Sequence, residues 1–340
     1  MQHGNARQLT PSQTASILLL SRSDVERLLT PDACIAAVED AFRLLALGKI
    51  PPPGILGLHA GDGSFHVKAA HLTLERPYFA AKLNANFPHN GARYALPTIQ
   101  GVVVLCDAEN GAPLAIMDSI SITALRTAAA TAVAAKYLAP AQLGTALICG
   151  CGAQAAAQLR ALLRVRSPLS ILAFDQDTGR AAAFAAAMTR ELGVAVFATP
   201  DLAAAAATSD LIVTCTTARR CFLMRGMVRP GTFVAAVGAD NENKQEIDPL
   251  LMAAATVVTD VTDQACLIGD LHHAIDAGVM SRDAVHAELG EVIAGRKRGR
   301  ARADEIIVFD STGTGLQDAA AAAAVYRRAA TERAGVAFSL

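Results

Sequence analysis

Residues 145–155 read Thr-Ala-Leu-Ile-Cys-Gly-Cys-Gly-Ala-Gln-Ala, and their reading decides the fold. An apolar run of strand length meets Gly150-Cys151-Gly152-Ala153-Gln154-Ala155 with no intervening loop, and a helical pattern continues through Leu163. A G-x-G-x-x-A stretch is weak evidence by itself, but between a strand and a helix it has a physical reason. The first glycine permits the tight turn, the second lets backbone approach a pyrophosphate, and the helix N-terminus offers amide donors and the positive end of its dipole. Gly150, Gly152, Ala153 and Gln154 are therefore read as a dinucleotide-binding loop.

The next strand ends at Asp175, near the offset at which an acidic side chain accepts hydrogen bonds from the adenosine ribose. A carboxylate there repels a 2′-phosphate, so the expected cofactor is NAD rather than NADP. The nearby Arg180 is read as a residue of an exposed helix face.

Outward from this loop the pattern repeats. Apolar runs at 145–149, 169–174, 194–197, 211–214, 232–237 and 256–261 alternate with helical segments, which argues for a doubly wound parallel sheet covered on both faces, a Rossmann domain. A last strand at 306–309 precedes Ser311-Thr-Gly-Thr-Gly315 and an alanine-rich terminal helix that can return to the first third of the chain. That first third reads differently. Thr30 and Pro31 open a helix that Gly48 ends, Pro51-Pro-Pro-Gly54 begins an extended region, and 64–70 and 78–83 look like strands. Runs at 102–106 and 114–117 flank Glu109-Asn110-Gly111 as a hairpin. A long alanine-rich helix from Ile122 marks the change of pattern. The expected architecture is α/β, with a Rossmann domain of residues 122–315 inserted in a smaller α+β domain made of 1–121 plus 316–340.

Composition excludes several classes. Of 340 residues, 52% are hydrophobic and 18% charged, which excludes a disordered chain. Mean hydropathy is +0.33, yet no apolar run reaches the ~18 residues that a membrane span needs. Met1 to Thr14 is polar with no secretory pattern, so the cytoplasm is expected. Thirty basic against 31 acidic residues give a charge of −1 and no general attraction for nucleic acid. The basic stretch 296–302 is read as a solvated loop. Seven cysteines in mostly apolar contexts are expected to be reduced core thiols, and Cys149-x-Cys151 lacks a second ligand pair, so no metal is expected. In Gly269-Asp-Leu-His-His273, His272 and Asp276 are read as a local helix-surface pair.

Three charges stand out. Lys82 ends an apolar strand, Arg126 begins a helix otherwise built of small residues, and Asp240 follows the strand at 232–237 at its carboxyl end, where open α/β sheets place their ligands. Burying any of these without a partner is costly. Taken singly, each reads equally well as half of a structural ion pair.

The segments Ala81-Lys-Leu-Asn84 through Leu96-Pro-Thr98, Met117-Asp118 through Leu125-Arg-Thr-Ala128, Gly150 through Gln154, Val237-Gly-Ala-Asp240 through Lys244-Gln-Glu-Ile-Asp248, and Phe309-Asp-Ser-Thr-Gly313 together resemble the ornithine cyclodeaminase/mu-crystallin family. The resemblance implies that the smaller domain binds substrate and forms a homodimer. It implies that Lys82 is the catalytic lysine, binding the substrate carboxylate and polarising an imine, and that Asp240 is the acid/base beside the α-nitrogen. It implies contacts of Arg126 with substrate carboxylate or cofactor phosphate, of Thr98 with the cofactor, and of Lys244 and Ser311 with the nicotinamide half. Thr216 and Val237 complete the expected cofactor set. Family members commonly carry a substrate-binding arginine near Gly54. This chain reads Pro52-Pro-Gly-Ile55 there, so Lys68 or His66 is expected to replace it. The implied activity is an NAD(H)-dependent interconversion of a small α-amino acid and its imine or keto acid. The same motifs leave open a redox-neutral cyclodeaminase and a non-catalytic binding protein of the mu-crystallin kind.

Overall fold

The computed structural model describes residues 16–339, so the N-terminal stretch read for a targeting signal lies outside the described residues. Seven strands form a mixed sheet: β1 (Ser16–Leu20), β2 (Gly54–Ala60), β3 (Gly63–Thr73), β4 (Pro77–Asn86), β5 (Ile99–Asp107) and β6 (Pro113–Asp118), with a late strand, Val336–Ser339, on the far edge beside β1. From β2 to β6 each strand pairs antiparallel with the next. Side chains alternate strictly along it, as the pleat requires. On β4, Tyr78, Ala80 and Lys82 point inward and are buried, while Phe79 and Leu83 point outward and are exposed.

Two helices lie behind the inward face: Pro31–Ala46 packs on Gly315–Glu332, and Gly315–Glu332 covers the strands themselves. The first is set by the Thr30 side chain, which accepts from Ala33 N, and by Pro31 at its start. The second comes close enough that a Cβ on Gly315 would lie 2.6 Å from Ala69 backbone. Its alanines permit that approach, and the terminal helix does return to the first third of the chain.

The parallel sheet has eight strands: β7 (Thr145–Cys149), β8 (Ser170–Phe174), β9 (Val196–Ala198), β10 (Leu211–Thr214), β12 (Phe233–Ala236), β14 (Thr256–Thr259), β15 (Ala287–Glu288) and β16 (Ile307–Asp310), in the order β15-β14-β16-β12-β10-β7-β8-β9. A separate pair, β11 (Arg219–Leu223) and β13 (Gln245–Ile247), brackets the loop that holds Asp240. Residues of β10, β12 and β16 are buried throughout, which is why their sequences are continuous apolar runs. The helix Ser119–Leu138 leaves β6 with the Asp118 side chain accepting from Ser121 N, and it packs on β5 and on β12. Its small residues let both sides lie close. The pattern change at Ile122 falls within this helix.

Several elements escape the sequence reading. The strand at 306–309, last in the chain order read above, is β16, inserted between β12 and β14 in the interior of the sheet. β1, Val336–Ser339 and β15 are short edge or near-edge strands fixed by long-range pairing, which leaves little local signal. The helix Arg22–Leu28 does carry a signal, a capping box between Ser21 and Asp24. Among the described residues all seven cysteines are free thiols, and no helix is long and apolar enough to cross a membrane.

Candidate functional site

At the carboxyl ends of the parallel strands lies a cleft of about 590 Å³. Its floor is the turn after β7. Gly150 adopts φ +93°, a conformation that glycine takes without strain, and a Cβ there would meet Thr216 Cγ2 at 2.7 Å. Gly152 faces the other way: a Cβ added to it has nothing within 4 Å, so its surface is open to the cleft. The helix Ala153–Leu162 starts immediately after it. Asp175, at the end of β8, accepts a 2.8 Å hydrogen bond from Cys151 N, which ties the acidic side chain to the glycine turn. Gln154 Oε1 and Ser311 Oγ are buried on the cleft wall without any hydrogen-bond partner. Uncommitted polar atoms beside an open glycine turn fit a ligand of pyrophosphate and ribose.

Gly150, Gly152, Ala153, Gln154, Asp175, Thr216, Val237, Lys244 and Ser311 all line this one cleft, as do Arg126 and Asp240. Thr98 does not: it is exposed on the loop before β5, and its carbonyl accepts from Phe87 N. Arg180 corrects the expectation of a bland helix face. It is exposed, but it lines the cleft, with Nη1 3.9 Å from Asp175.

Asp240 stands at the mouth with its side chain about half exposed, and its Oδ1 accepts a 2.7 Å bond from Lys244 Nζ. The enclosing walls favour its neutral form, but the Lys244 ammonium, then Lys68, outweigh them and hold the carboxyl below its ordinary range. The loop is braced from outside, since His273 Nε2 pairs with the Lys244 carbonyl at 2.9 Å. His273 thus supports the site, while His272 makes the expected surface pair with Asp276 at 3.5 Å.

At the inner end, Arg126 and Lys82 converge on Asp318, a residue of the terminal helix that the sequence reading missed. Arg126 Nε lies 3.0 Å from Asp318 Oδ1, and Lys82 Nζ lies 2.8 Å from Oδ2. Arg126 Nη1 also donates to Gln317 Oε1 at 2.8 Å. All three charged side chains are at most 5% exposed. Burial, reinforced by the Arg126 charge, pulls the Lys82 ammonium down to about 7 in spite of Asp318. Burial favours the neutral acid at Asp318, but Lys82 and then Arg126 keep it ionised below its ordinary range. Lys82 does not itself line the cleft, and its ammonium is committed to Asp318 rather than turned toward a ligand.

Lys68 is buried. It sits directly across from Lys82 in the β3–β4 pairing, and its Nζ donates to the carbonyls of Thr312 and Gly313 at 3.0 and 2.6 Å. Those two residues form the cleft wall in front of it. Burial first, and the Arg126 charge next, lower its ammonium. His66, two residues nearer the mouth on the same face, pairs its Nε2 with Ser64 Oγ at 2.9 Å, and burial lowers its proton affinity.

Fold and site together define a dinucleotide-binding α/β protein whose glycine-turn cleft ends in a cluster of buried cations with a carboxylate at its mouth. The chain belongs to the ornithine cyclodeaminase/mu-crystallin family, whose profile matches residues 16–333. Three solved structures are similar over nearly their whole length. An archaeal alanine dehydrogenase dimer with bound NAD is 37% identical, with a TM-score of 0.89 over 95% of this chain and 99% of that one. The Δ1-pyrroline-2-carboxylate reductase of Thermococcus litoralis, in complex with NADH and L-proline, is 33% identical, with a TM-score of 0.88 over 94% and 99%. The iminosuccinate reductase of Paracoccus denitrificans, in complex with NAD+, is 33% identical, with a TM-score of 0.88 over 96% and 100%. The three differ in what they act on, so similarity alone does not choose a substrate.

Proposed function

We propose that the protein is an NAD(H)-dependent oxidoreductase interconverting a small α-amino acid and its imine or keto acid. The observation that carries this reading is that Asp240 and Arg126 line the same cleft as the Gly150 turn. The turn with Ala153 and Gln154 would hold a pyrophosphate, Asp175 the adenosine ribose, and Thr216, Val237, Lys244 and Ser311 the remainder. When bound, the dinucleotide supplies a hydride acceptor or donor at the substrate α-carbon. The rest falls to the chain. Arg126 draws the substrate carboxylate, and Gly313 permits this, because a Cβ there would lie 2.3 Å from Arg126 Nη1. Asp240, ionised, accepts a proton from the α-nitrogen in the oxidative direction and returns it in the reductive one. Lys68 and Lys82 close the inner end and favour negative charge there, and His66 lies within reach of the charges of both Lys68 and Asp240. Incubation with NAD+ and a panel of L-amino acids, followed by NADH absorbance, tests the reading. Proline formed from ornithine without net NADH marks a cyclodeaminase instead, and NAD binding without any turnover marks a binding protein.

We also infer a homodimer. Leu56, Leu58, Phe65, Phe79, Leu83 and Val102 share the outer face of the seven-stranded sheet and are 37–58% exposed, an apolar patch of the kind a second copy covers. Light scattering at micromolar concentration reads the mass. The division into 122–315 and the remainder is supported by two sheets that share no strand, and a cytoplasmic location by the free thiols.

A further inference from the structure

We propose that Glu246, a buried acid that does not line the cleft, is the positioning residue that fixes the wall on which Asp240 and the far half of the dinucleotide depend. This rests on the oxidoreductase reading and deepens it. Glu246 is fully buried. Its Oε1 accepts from Thr216 N and Thr216 Oγ1, both at 2.6 Å, and its Oε2 accepts from Thr214 Oγ1 at 2.7 Å and Gly238 N at 2.8 Å. Thr216 and Gly238 are both residues of the cleft wall.

The place of these bonds gives them their role. The ladder of the parallel sheet ends here with Cys215 N donating to the Cys149 carbonyl and Val237 N to the Thr214 carbonyl. The next amide along each segment, Thr216 N or Gly238 N, donates to Glu246 instead. One carboxylate thus carries the order of the sheet past the ends of β10 and β12 and into the cleft. Asp240 is tied to that point, because its N donates to the Gly238 carbonyl at 3.1 Å. Gly238 has no slack: a Cβ there would lie 2.5 Å from Glu246 Cδ and 2.5 Å from the Thr216 carbonyl oxygen. Glu246 is itself held from behind, since Asp270 Oδ1 accepts from Glu246 N and Ile247 N at 2.8 and 2.9 Å.

The role calls for a carboxylate. A backbone amide can only donate, and each oxygen of Glu246 meets one. A glutamine of the same shape turns its NH2 toward either Thr216 N or Gly238 N, whichever way it is flipped, so one of the two loses its acceptor. Asp270 differs. It accepts through one oxygen while Oδ2 has no partner, and burial, with the Asp310 charge next, drives its carboxyl well above the ordinary range. An asparagine in its place keeps both accepted bonds.

The test compares Glu246→Gln with Asp270→Asn in the full-length protein, well below the Tm of each. Glu246→Gln is expected to lose about tenfold or more in kcat at saturating NAD+ and amino acid. The emission of bound NADH is expected to move toward that of free NADH, while the affinity for ADP-ribose, measured by calorimetry, stays that of the parent. Asp270→Asn is expected to keep all three parent values. Should Glu246→Gln fail to fold, Thr214→Val, which removes one donor to Oε2 from outside the cleft, carries the test, with a loss of about threefold or more in kcat and the same change of emission expected. A role in stability alone lowers Tm and leaves the folded enzyme as it was, so a folded variant with parent kcat or parent NADH emission overturns the proposal. ADP-ribose affinity that falls as far as kcat, or equal losses in Asp270→Asn, overturns it as well. A parent that oxidises no amino acid overturns the oxidoreductase reading itself, and the NADH emission and ADP-ribose affinity then decide the role of Glu246.

Discussion

Asp318 Oδ2 lies 2.8 Å from Lys82 Nζ, joining the terminal helix to the strand β4 across 236 residues of sequence. The same carboxylate holds Arg126. The substitution Asp318→Asn keeps the shape of the side chain and removes the counter-charge that two buried cations share. Breaking a buried pair in this way costs about 3–5 kcal/mol. Urea unfolding at neutral pH is expected to show a loss of that order, and a variant as stable as the parent would show that the contact carries no charge balance.

The same cluster has a pH signature. Lys82 binds its proton at about 7 in the folded protein against 10.5 when free. Between those values the unfolded chain holds more protons than the folded one, so this group makes stability rise with pH through that window. Below about 7 the full burden of a buried ammonium is present, and it is relieved as pH climbs. Lys82→Met removes the group from the balance. Denaturation midpoints measured from pH 7 to 10 are expected to rise less in Lys82→Met than in the parent, and equal slopes would contradict the assignment.

Much of this site was legible in the sequence, and what was missed had a physical reason. The glycine turn, Asp175 and Asp240 sit at strand ends, where local pattern and chemistry coincide. Arg126 was visible as a lone charge in a helix of small residues. Asp318 has the same signature, one acid among Leu316, Gln317 and a run of alanines, and the same logic applied to the terminal helix would have found it. That Lys68 opposes Lys82 depends on strand register, and that β16 lies inside the sheet between β12 and β14 depends on non-local pairing; neither leaves a trace in local composition. Thr98 shows the converse: its place in a family motif did not put its side chain on the cleft in this chain.

At the mouth, Lys244 keeps Asp240 ionised. Without that ammonium the carboxyl regains proton affinity, so Lys244→Met is expected to shift the acid limb of log kcat/KM upward in pH. Asp240→Asn, which can neither accept nor return a proton, is expected to lose about 10²–10⁴-fold in kcat while NAD binding persists in a fluorescence titration. An acid limb that stays in place in Lys244→Met would mean that another group sets it.

The two glycines of the turn should separate stability from binding. Gly150 has φ +93° and no room for a Cβ against Thr216, so Gly150→Ala forces a strained backbone and a clash, each worth about 1–3 kcal/mol, and a lower Tm is expected with or without cofactor. Gly152 has negative φ and open space where its Cβ would project. Gly152→Val should leave the Tm of the free protein within about a degree or two, because nothing is displaced. Its side chain would instead stand where a pyrophosphate approaches the backbone. NAD affinity measured by calorimetry is expected to fall by about tenfold or more. A Gly152→Val protein that binds NAD like the parent would place the pyrophosphate elsewhere, and with it the hydride-transfer geometry that Asp240 and Arg126 are taken to serve.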